Sequence, residues 1–222
     1  MERTNLLPAG TGLLDKSVPV LAPDDIRRHF AERVPGPDRG GGVPRGDHEL
    51  NPGMVPVGEL RAAAVLVPLV DRPGGLTILL TQRTAHLAHH AGQIAFPGGR
   101  VEAVDADEIA TALRETEEEV GLTGDHIEPV GRLDRYITRT GFTVIPVVAL
   151  VHPPFALTLA PDEVADAFEV PLSFILDPAN RQKESAEFLG VMRHFYLFRY
   201  GERNIWGATA GMLVNLAETL SA

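Results

Sequence analysis

The residues best suited to chemistry are carboxylates that crowd one short segment. Glu115, Glu118 and Glu119 fall within five positions, in a stretch whose apolar spacing predicts a helix over Asp107–Val120. With about 100° of rotation per residue, Glu118 and Glu119 both lie within roughly 60° of Glu115 on the helix surface. The segment therefore presents several carboxylates on one strip. Beside that strip runs a predicted buried stripe formed by Ile109, Leu113, Thr116 and Val120.

Carboxylates at this density favour a bound cation. Like charges one turn apart destabilise an isolated helix, and neighbouring carboxylates resist ionising together. A divalent cation removes both penalties, and ligands that offer only oxygen suit Mg²⁺ or Mn²⁺ better than zinc. The helix alone also leaves open a solvated acidic face that Lys or Arg side chains neutralise.

The residues before the helix are typical of a loop that approaches a ligand closely. The segment Pro97-Gly98-Gly99 ends a predicted short strand over Ile94–Phe96, and its glycines allow a tight turn. Arg114 lies beside the acidic strip and is placed to pin this loop through Glu102 or Asp105. An ordinary strand-to-helix turn and a surface ion pair are the alternatives.

The elements that must position these residues alternate between strands and helices. A mixed sheet with helices on both sides is the economical architecture for such a pattern. The predicted strands and the closing helix are Ala62–Val70, Leu76–Gln82, a hairpin of Ile127–Tyr136 with Phe142–Val151, Met192–Tyr200, Asn204–Trp206 and the helix Ala208–Leu220. Residues Asp162–Phe168 are predicted to form a short acidic helix or turn.

The first 55 residues differ in character from the rest. We predict an N-terminal extension over 1–55 and a folded domain over 56–222. The extension contains a short helix over Asp24–Val34, and residues 35–55 are so rich in Gly, Pro and charge that we expect a linker or mobile loop. The N-terminus lacks the pattern of a signal peptide, and no window reaches 18 uninterrupted apolar residues, so a cytoplasmic protein is expected.

Composition excludes several classes of function. The 222 residues carry a formal net charge of −10, so we expect no general attraction to nucleic acid or anionic lipid. A phosphate-bearing ligand then needs a local device such as a metal ion. The chain has no Cys, which excludes disulfides, thiolate catalysis and a cysteine-based zinc site.

The segment as a whole resembles the Nudix box. Residues 114–122 match the second half of that pattern, except that Thr116 stands at an aliphatic position. The stretch 79–122 is similar to the extended signature of coenzyme A pyrophosphatase-type Nudix enzymes, whose spacing includes the extra residue before Arg114. One departure is Ala88-His89, where many relatives carry Arg or Lys.

This resemblance implies a fold, a metal and a set of roles. It implies a Nudix-like α/β/α sandwich with a mixed central sheet, and Mg²⁺ or Mn²⁺ held by Glu115, Glu118 and Glu119. Catalytic roles are expected for Glu115, Glu119 and Arg114. The general base is either a carboxylate of the helix or Glu163 from a later loop, although Glu163 is equally suited to being an acid at a helix N-terminus.

The resemblance also implies the reaction and the substrate. We expect hydrolysis of the diphosphate of coenzyme A or an acyl derivative to adenosine 3′,5′-bisphosphate and (acyl-)4′-phosphopantetheine, with Arg83, Gly98 and Gly99 contacting the substrate. The departure at Ala88 keeps open another nucleoside diphosphate derivative: ADP-ribose, NADH, a dinucleotide or a nucleoside triphosphate. A catalytically silent nucleotide-binding domain is the third alternative. No nucleic-acid or membrane partner is expected, and a homodimer stays open.

Overall fold

The computed structural model describes residues 18–32, 44–54, 56, 58–85, 92–188 and 190–221. Within these residues the four α-helices are α1 (Pro23–Glu32), α2 (Glu108–Val120), α3 (Leu172–Leu176) and α4 (Gly207–Leu220). The strands are β1 (Arg45–Gly46), β2 (Arg61–Arg72), β3 (Gly75–Arg83), β4 (Ile94–Ala95), β5 (Gly98–Arg100), β6 (Ile127–Arg132), β7 (Tyr136–Ile137), β8 (Phe142–Val151), β9 (Val164–Pro171), β10 (Gln182–Phe188), β11 (Val191–Tyr200) and β12 (Arg203–Trp206).

A mixed sheet built on β2 organises this part of the chain. Strands β1, β7, β8, β2, β3 and β4 follow one another, while β5 pairs with β2, β6 with β8 and β9 with β3. The central pair, β2 and β8, is parallel from Arg61 opposite Phe142 to Val70 opposite Val151. Both strands are buried over most of their length, as their nearly continuous apolar sequences predict.

Helices cover both faces of this sheet. On one face α2 packs over Ala64, Leu66 and Leu79. On the other face a larger core gathers Leu69, Ile78 and the inward side chains of α1, α3 and α4. The predicted sandwich with a mixed central sheet is confirmed. None of the helices in the described ranges is long and apolar enough to cross a membrane.

Two sequence predictions fail where tertiary pairing decides the structure. Residues Asp162–Phe168 were expected to form a helix or turn, but β9 begins at Val164 and pairs antiparallel with β3. The polar strand β10 was not predicted at all. It forms a second sheet, antiparallel to β11, and β12 completes that sheet.

Residues 44–54 are part of the fold, which corrects the expectation that this composition cannot pack. Arg45–Gly46 pairs in parallel with Tyr136–Ile137. Asp47 accepts hydrogen bonds from the Tyr136 hydroxyl at 2.8 Å and from the backbone N–H of Arg139 at 2.7 Å. Residues 1–17 and 33–43 lie outside the described ranges, and the domain boundary near residue 55 stays a prediction.

Helix α1 docks against β6 through one ring and one glycine. Phe30 is 5% exposed, and its ring lies directly over Gly131. A Cβ atom at position 131 would lie 2.5 Å from Phe30 Cδ1. The close contact between α1 and the sheet therefore requires that position 131 carry no side chain.

Gly131→Ala is expected to lower the free energy of unfolding by about 1–3 kcal/mol, because the new methyl group overpacks this contact. Urea denaturation measures the change. Gly74→Ala serves as the matched control, since a Cβ there meets nothing within 4 Å, and its unfolding free energy should stay within about 0.5 kcal/mol of wild type. Equal midpoints for both variants would mean that α1 does not dock as described.

Candidate active site

Helix α2 begins and ends on the signals that the sequence carries. The Asp107 side chain caps the N-terminus by accepting a hydrogen bond from the Ala110 N–H at 2.9 Å. Gly121, at φ 68°, caps the C-terminus, and its N–H donates to the Glu117 carbonyl at 2.9 Å. Both predicted boundaries are thereby confirmed, and they fix which carboxylates share a side of the helix.

The three glutamates run from solvent into the core. The side chain of Glu118 is 61% exposed, that of Glu115 is 17% exposed and that of Glu119 is 5% exposed. The expected acidic strip beside a separate buried stripe is therefore too simple, because Glu119 belongs to the buried side. Ile109 and Leu113 are only partly buried, and Thr111 and Ala112 take the innermost positions together with Thr116 and Val120.

The glycines before the helix form a strand rather than the expected turn. Gly98–Arg100 is β5, which pairs antiparallel with β2. At φ 153°, Gly98 adopts a backbone conformation that residues with a side chain rarely take, and a Cβ there would overlap the β2 backbone. A Cβ at Gly99 would overlap the Glu115 carboxylate. Gly99 thus lets a strand backbone lie directly against a catalytic candidate.

Arg114 ties the loop to the helix, as predicted, and does so through Asp105. Its Nε and Nη2 donate to the two Asp105 oxygens at 2.9 and 3.0 Å. This bidentate pairing holds the pKa of the Asp105 carboxyl well below its usual range. The remaining nitrogen, Nη1, lies 3.0 Å from Glu115 and 3.2 Å from Glu118. Arg114 therefore also supplies positive charge between two of the carboxylates.

Glu119 is a buried carboxylate whose charge and hydrogen-bonding capacity are only partly satisfied by its neighbours. Burial raises its pKa to about 7, although the Arg83 guanidinium, 3.6 Å away, and the Gly98 amide oppose that change. Among the residues that the structure describes, no group forms a hydrogen bond with its Oε2 atom. A buried oxygen left in this condition destabilises the fold, so its presence needs a functional reason.

A separate loop brings Glu163 to the same place. Backbone N–H groups of Thr158 and Ala160 donate to the carbonyls of Val120 and Glu119, at 2.8 and 2.9 Å. This attaches the loop to the end of α2. The negative charge of Glu163 raises the pKa of both Glu115 and Glu119, after the larger effect of burial. Sequence reasoning named Glu163, but could not show that its loop attaches to the end of α2.

One positioning residue was missed. Thr84, which is 3% exposed, follows β3 and holds the Glu163 loop from the other side. Its N–H donates to the Glu163 carbonyl at 3.0 Å and its hydroxyl to the Asp162 carbonyl at 3.1 Å. A buried polar residue directly after the candidate substrate residue Arg83 was the available signal. Ala88 and His89, where the sequence departs from the signature, lie outside the described ranges.

The donor set fits a hard divalent cation, although the side chains are not gathered around one point. In the ranges given above, no three His, Asp or Glu side chains are grouped closely enough to hold a metal ion. Glu118 is exposed and able to turn, and Arg114 now balances the charge of Glu115 and Glu118. The Glu119 oxygen without a partner in the described ranges, and the Glu115 carboxylate on the same helix, are the observations that fit the ion.

The site combines a mixed sheet between helices with a carboxylate-bearing helix that follows a Gly-Gly strand. The NUDIX domain model matches residues 60–191. The uncharacterized Nudix hydrolase NudL of Escherichia coli K12 is 42% identical over 157 residues, which cover 71% of this chain and 81% of NudL. NudL of Shigella boydii matches to the same extent. The chain belongs to the Nudix hydrolase family, whose members act on pyrophosphate bonds.

Solved structures of similar proteins come from several organisms. The chain is similar to a Caenorhabditis elegans Ap4A hydrolase in a binary complex, with 25% identity, a TM-score of 0.44 and coverage of 50% of this chain and 80% of that one. It is also similar to the NUDIX domain of Shewanella oneidensis NrtR complexed with ADP ribose. There the identity is 21%, the TM-score 0.41 and the coverage 58% of this chain and 84% of that one.

Proposed function

We propose that this Nudix hydrolase cleaves the diphosphate of coenzyme A or acyl-coenzyme A. The products are adenosine 3′,5′-bisphosphate and 4′-phosphopantetheine or its acylated form. The observation that carries the reaction is the pair Glu115 and Glu119 on α2, with the Glu115 carboxylate against Gly99 and the Glu163 loop attached to the end of the same helix. The signature over 79–122 supports the substrate. We propose that the reaction takes place in the cytoplasm.

Three glutamates would hold the metal. Nudix hydrolases generally need a divalent cation, and we propose Mg²⁺ or Mn²⁺ bound by Glu115, Glu118 and Glu119. Such an ion, when bound, would neutralise the diphosphate and lower the pKa of the attacking water. Arg114 then keeps its bidentate hold on Asp105 and fixes the loop that follows β5. We propose that Arg83, which lies at the end of β3 and 3.6 Å from Glu119, contacts a substrate phosphate.

Glu163 is the general base in this proposal. With Glu115 and Glu119 committed to the metal, we propose that Glu163, whose charge acts on both, accepts a proton from water. Within the described ranges, no donor or cation pairs with its carboxylate. The loop is exposed at Glu163, so water reaches this carboxylate. Hydrogen bonds with Thr84 and with α2 hold the Glu163 loop in place. This matters because a general base must first lie within reach of the proton that it removes.

Product analysis by mass spectrometry tests the proposal. Coenzyme A, acetyl-coenzyme A, ADP-ribose and NADH are offered separately with Mg²⁺ or Mn²⁺. We expect 4′-phosphopantetheine from coenzyme A, and its acetylated form from acetyl-coenzyme A. In ¹⁸O-labelled water, one product carries a single labelled oxygen, because water attacks one phosphorus. Cleavage of ADP-ribose or NADH without coenzyme A would keep the reaction and reject the substrate. No cleavage at all would favour a silent binding domain.

A further inference from the structure

Two arginines stack on one phenylalanine at the end of the sheet where the central strands β2 and β8 begin. The guanidinium carbon of Arg61 lies 3.9 Å from the centre of the Phe142 ring, and that of Arg100 lies 5.6 Å from it. Both arginines are exposed and Phe142 is half-buried. We call Arg61, Arg100 and Phe142 the arginine cluster. The ring holds both cations in place through cation–π contacts.

Acidic side chains of the described residues do not neutralise the two cations. In the part of the chain that the structure describes, no carboxylate pairs with Arg61 or Arg100, whereas Arg27, Arg72 and Arg114 all pair with acids. Arg61 makes one side-chain hydrogen bond, from Nη2 to the Thr140 carbonyl at 3.1 Å. Stacking occupies the face of a guanidinium and leaves the N–H groups at its edge available to an anion.

The strand register connects the arginine cluster to the catalytic carboxylates. Arg100 follows Gly99 directly, and consecutive Cα atoms are about 3.8 Å apart. Because side chains alternate along a strand, position 99 faces Glu115 and Arg100 faces the other side. Arg100 lies opposite Ala63 in β2, and Arg61 lies two residues before Ala63 and opposite Phe142. The three side chains of the cluster therefore share one face.

In this inference, the ligand passes from one face of the sheet to the other along the second edge of β5. This strand pairs with β2 along one edge, and no other strand in the described ranges pairs with its second edge. A substrate lying along that edge would place its diphosphate at Glu115 and its far end at Arg100. In a chain of net charge −10, an anionic far end needs local positive charge such as this.

We propose that Arg61 and Arg100 bind a phosphate monoester at the nucleoside end of the substrate. In coenzyme A this group is the 3′-phosphate, and the inference rests on the proposed function. A phosphate monoester carries about −1.5 to −2 charges at pH 7, and arginine N–H groups match its oxygens well. ADP-ribose and NADH lack this group, so the arginine cluster selects the coenzyme over them.

The test compares coenzyme A with dephospho-coenzyme A, which differ only in the 3′-phosphate. Wild type should cleave coenzyme A with a kcat/KM about 10–100 times higher, as expected for one or two charged hydrogen bonds. Arg100→Ala and Arg61→Ala should each remove about tenfold or more of this preference through KM, with kcat kept within about twofold. The kcat and KM of both variants for dephospho-coenzyme A should hardly differ from those of wild type. Arg199→Ala, the same charge change in the second sheet, should retain the full preference.

The outcomes separate the inference from the proposed function. If wild type cleaves both compounds equally, coenzyme A remains the substrate and the phosphate site is wrong. If Arg100→Ala and Arg61→Ala slow both compounds alike while thermal melts match wild type, the cluster holds another part of the substrate and the inference fails. If neither compound is cleaved but ADP-ribose is, the proposed substrate is wrong and the inference falls with it.

Discussion

Glu115→Gln is expected to lower kcat by about 10²–10⁴-fold and to leave the fold intact. Glutamine keeps the shape that fits against Gly99 and can still accept the hydrogen bond that Arg114 Nη1 donates to Glu115 at 3.0 Å. What it loses is the negative charge that the proposed metal needs. Steady-state kinetics with coenzyme A, together with circular dichroism and a thermal melt, measure both parts of this expectation.

Glu117→Gln is the matched control for this variant. It makes the same charge change on the same helix, but Glu117 is exposed and lies away from Gly99. We expect its kcat to stay within about twofold of wild type, as is usual for a surface change. Near-normal turnover by Glu115→Gln, or an equal loss in Glu117→Gln, would remove the proposed role of Glu115.

Gly99→Ala disrupts the contact between position 99 and Glu115 without altering any charge. Its Cβ would overlap the Glu115 carboxylate, so that side chain must turn away from β5. We expect a loss of kcat similar to that of Glu115→Gln, because a catalytic group displaced by about 1 Å can lose a hundredfold in rate. Full activity in Gly99→Ala would mean that Glu115 works from another position.

Local signals in the sequence predicted the central elements well. Helix α2 carries its own cap residues, Asp107 and Gly121, so both ends could be read without knowing what surrounds them. The long apolar runs of β2 and β8 are also local signals, and they identify strands that are buried on both faces. The pairing of Arg114 with Asp105 was accessible too, because nine residues separate them within one loop and helix.

What the sequence could not show depends on distant partners. Strand β9 contains Asp166, one of the acids that suggested a helix or turn over Asp162–Phe168, yet the open edge of β3 imposes a strand. Residues 44–54 looked like a linker until β7 and His194 supplied partners for Arg45–Gly46 and Asn51. The burial of Glu119 likewise follows from how α2 packs on the sheet, which the spacing of its residues does not reveal.

Glu119→Gln is expected to stabilise the metal-free protein while abolishing most of its activity. The carboxylate is 4% exposed, and its Oε2 has no hydrogen-bond partner in the described ranges. A neutral amide avoids the cost of burying that charge. At pH 8 the free energy of unfolding should therefore rise by about 2–3 kcal/mol in the variant, and kcat should fall at least about a hundredfold.

The stability that Glu119→Gln gains over wild type should increase as the pH rises. Burial raises the pKa of folded Glu119 from its ordinary 4.5 to about 7. Below pH 4 the carboxyl is protonated in both the folded and the unfolded state and costs nothing. As pH rises from 4 to 7, the unfolded chain releases a proton that the folded protein retains, so wild type progressively loses stability. Urea denaturation in EDTA measures this dependence. At pH 4 wild type and Glu119→Gln should have the same free energy of unfolding, and at pH 8 the full difference should appear.

A divalent cation should reverse the order of stability. Binding to the folded state alone stabilises it, so millimolar Mg²⁺ or Mn²⁺ should raise the melting temperature of wild type and leave that of Glu119→Gln nearly unchanged. Glu117→Gln should respond to the cation as wild type does. If instead Glu119→Gln is less stable than wild type in EDTA at pH 8, the carboxylate serves a structural pairing with Arg83. A buried charge that destabilises the metal-free protein and stabilises the metal-bound protein identifies a side chain that binds the metal. A side chain that serves only in packing does not produce this reversal.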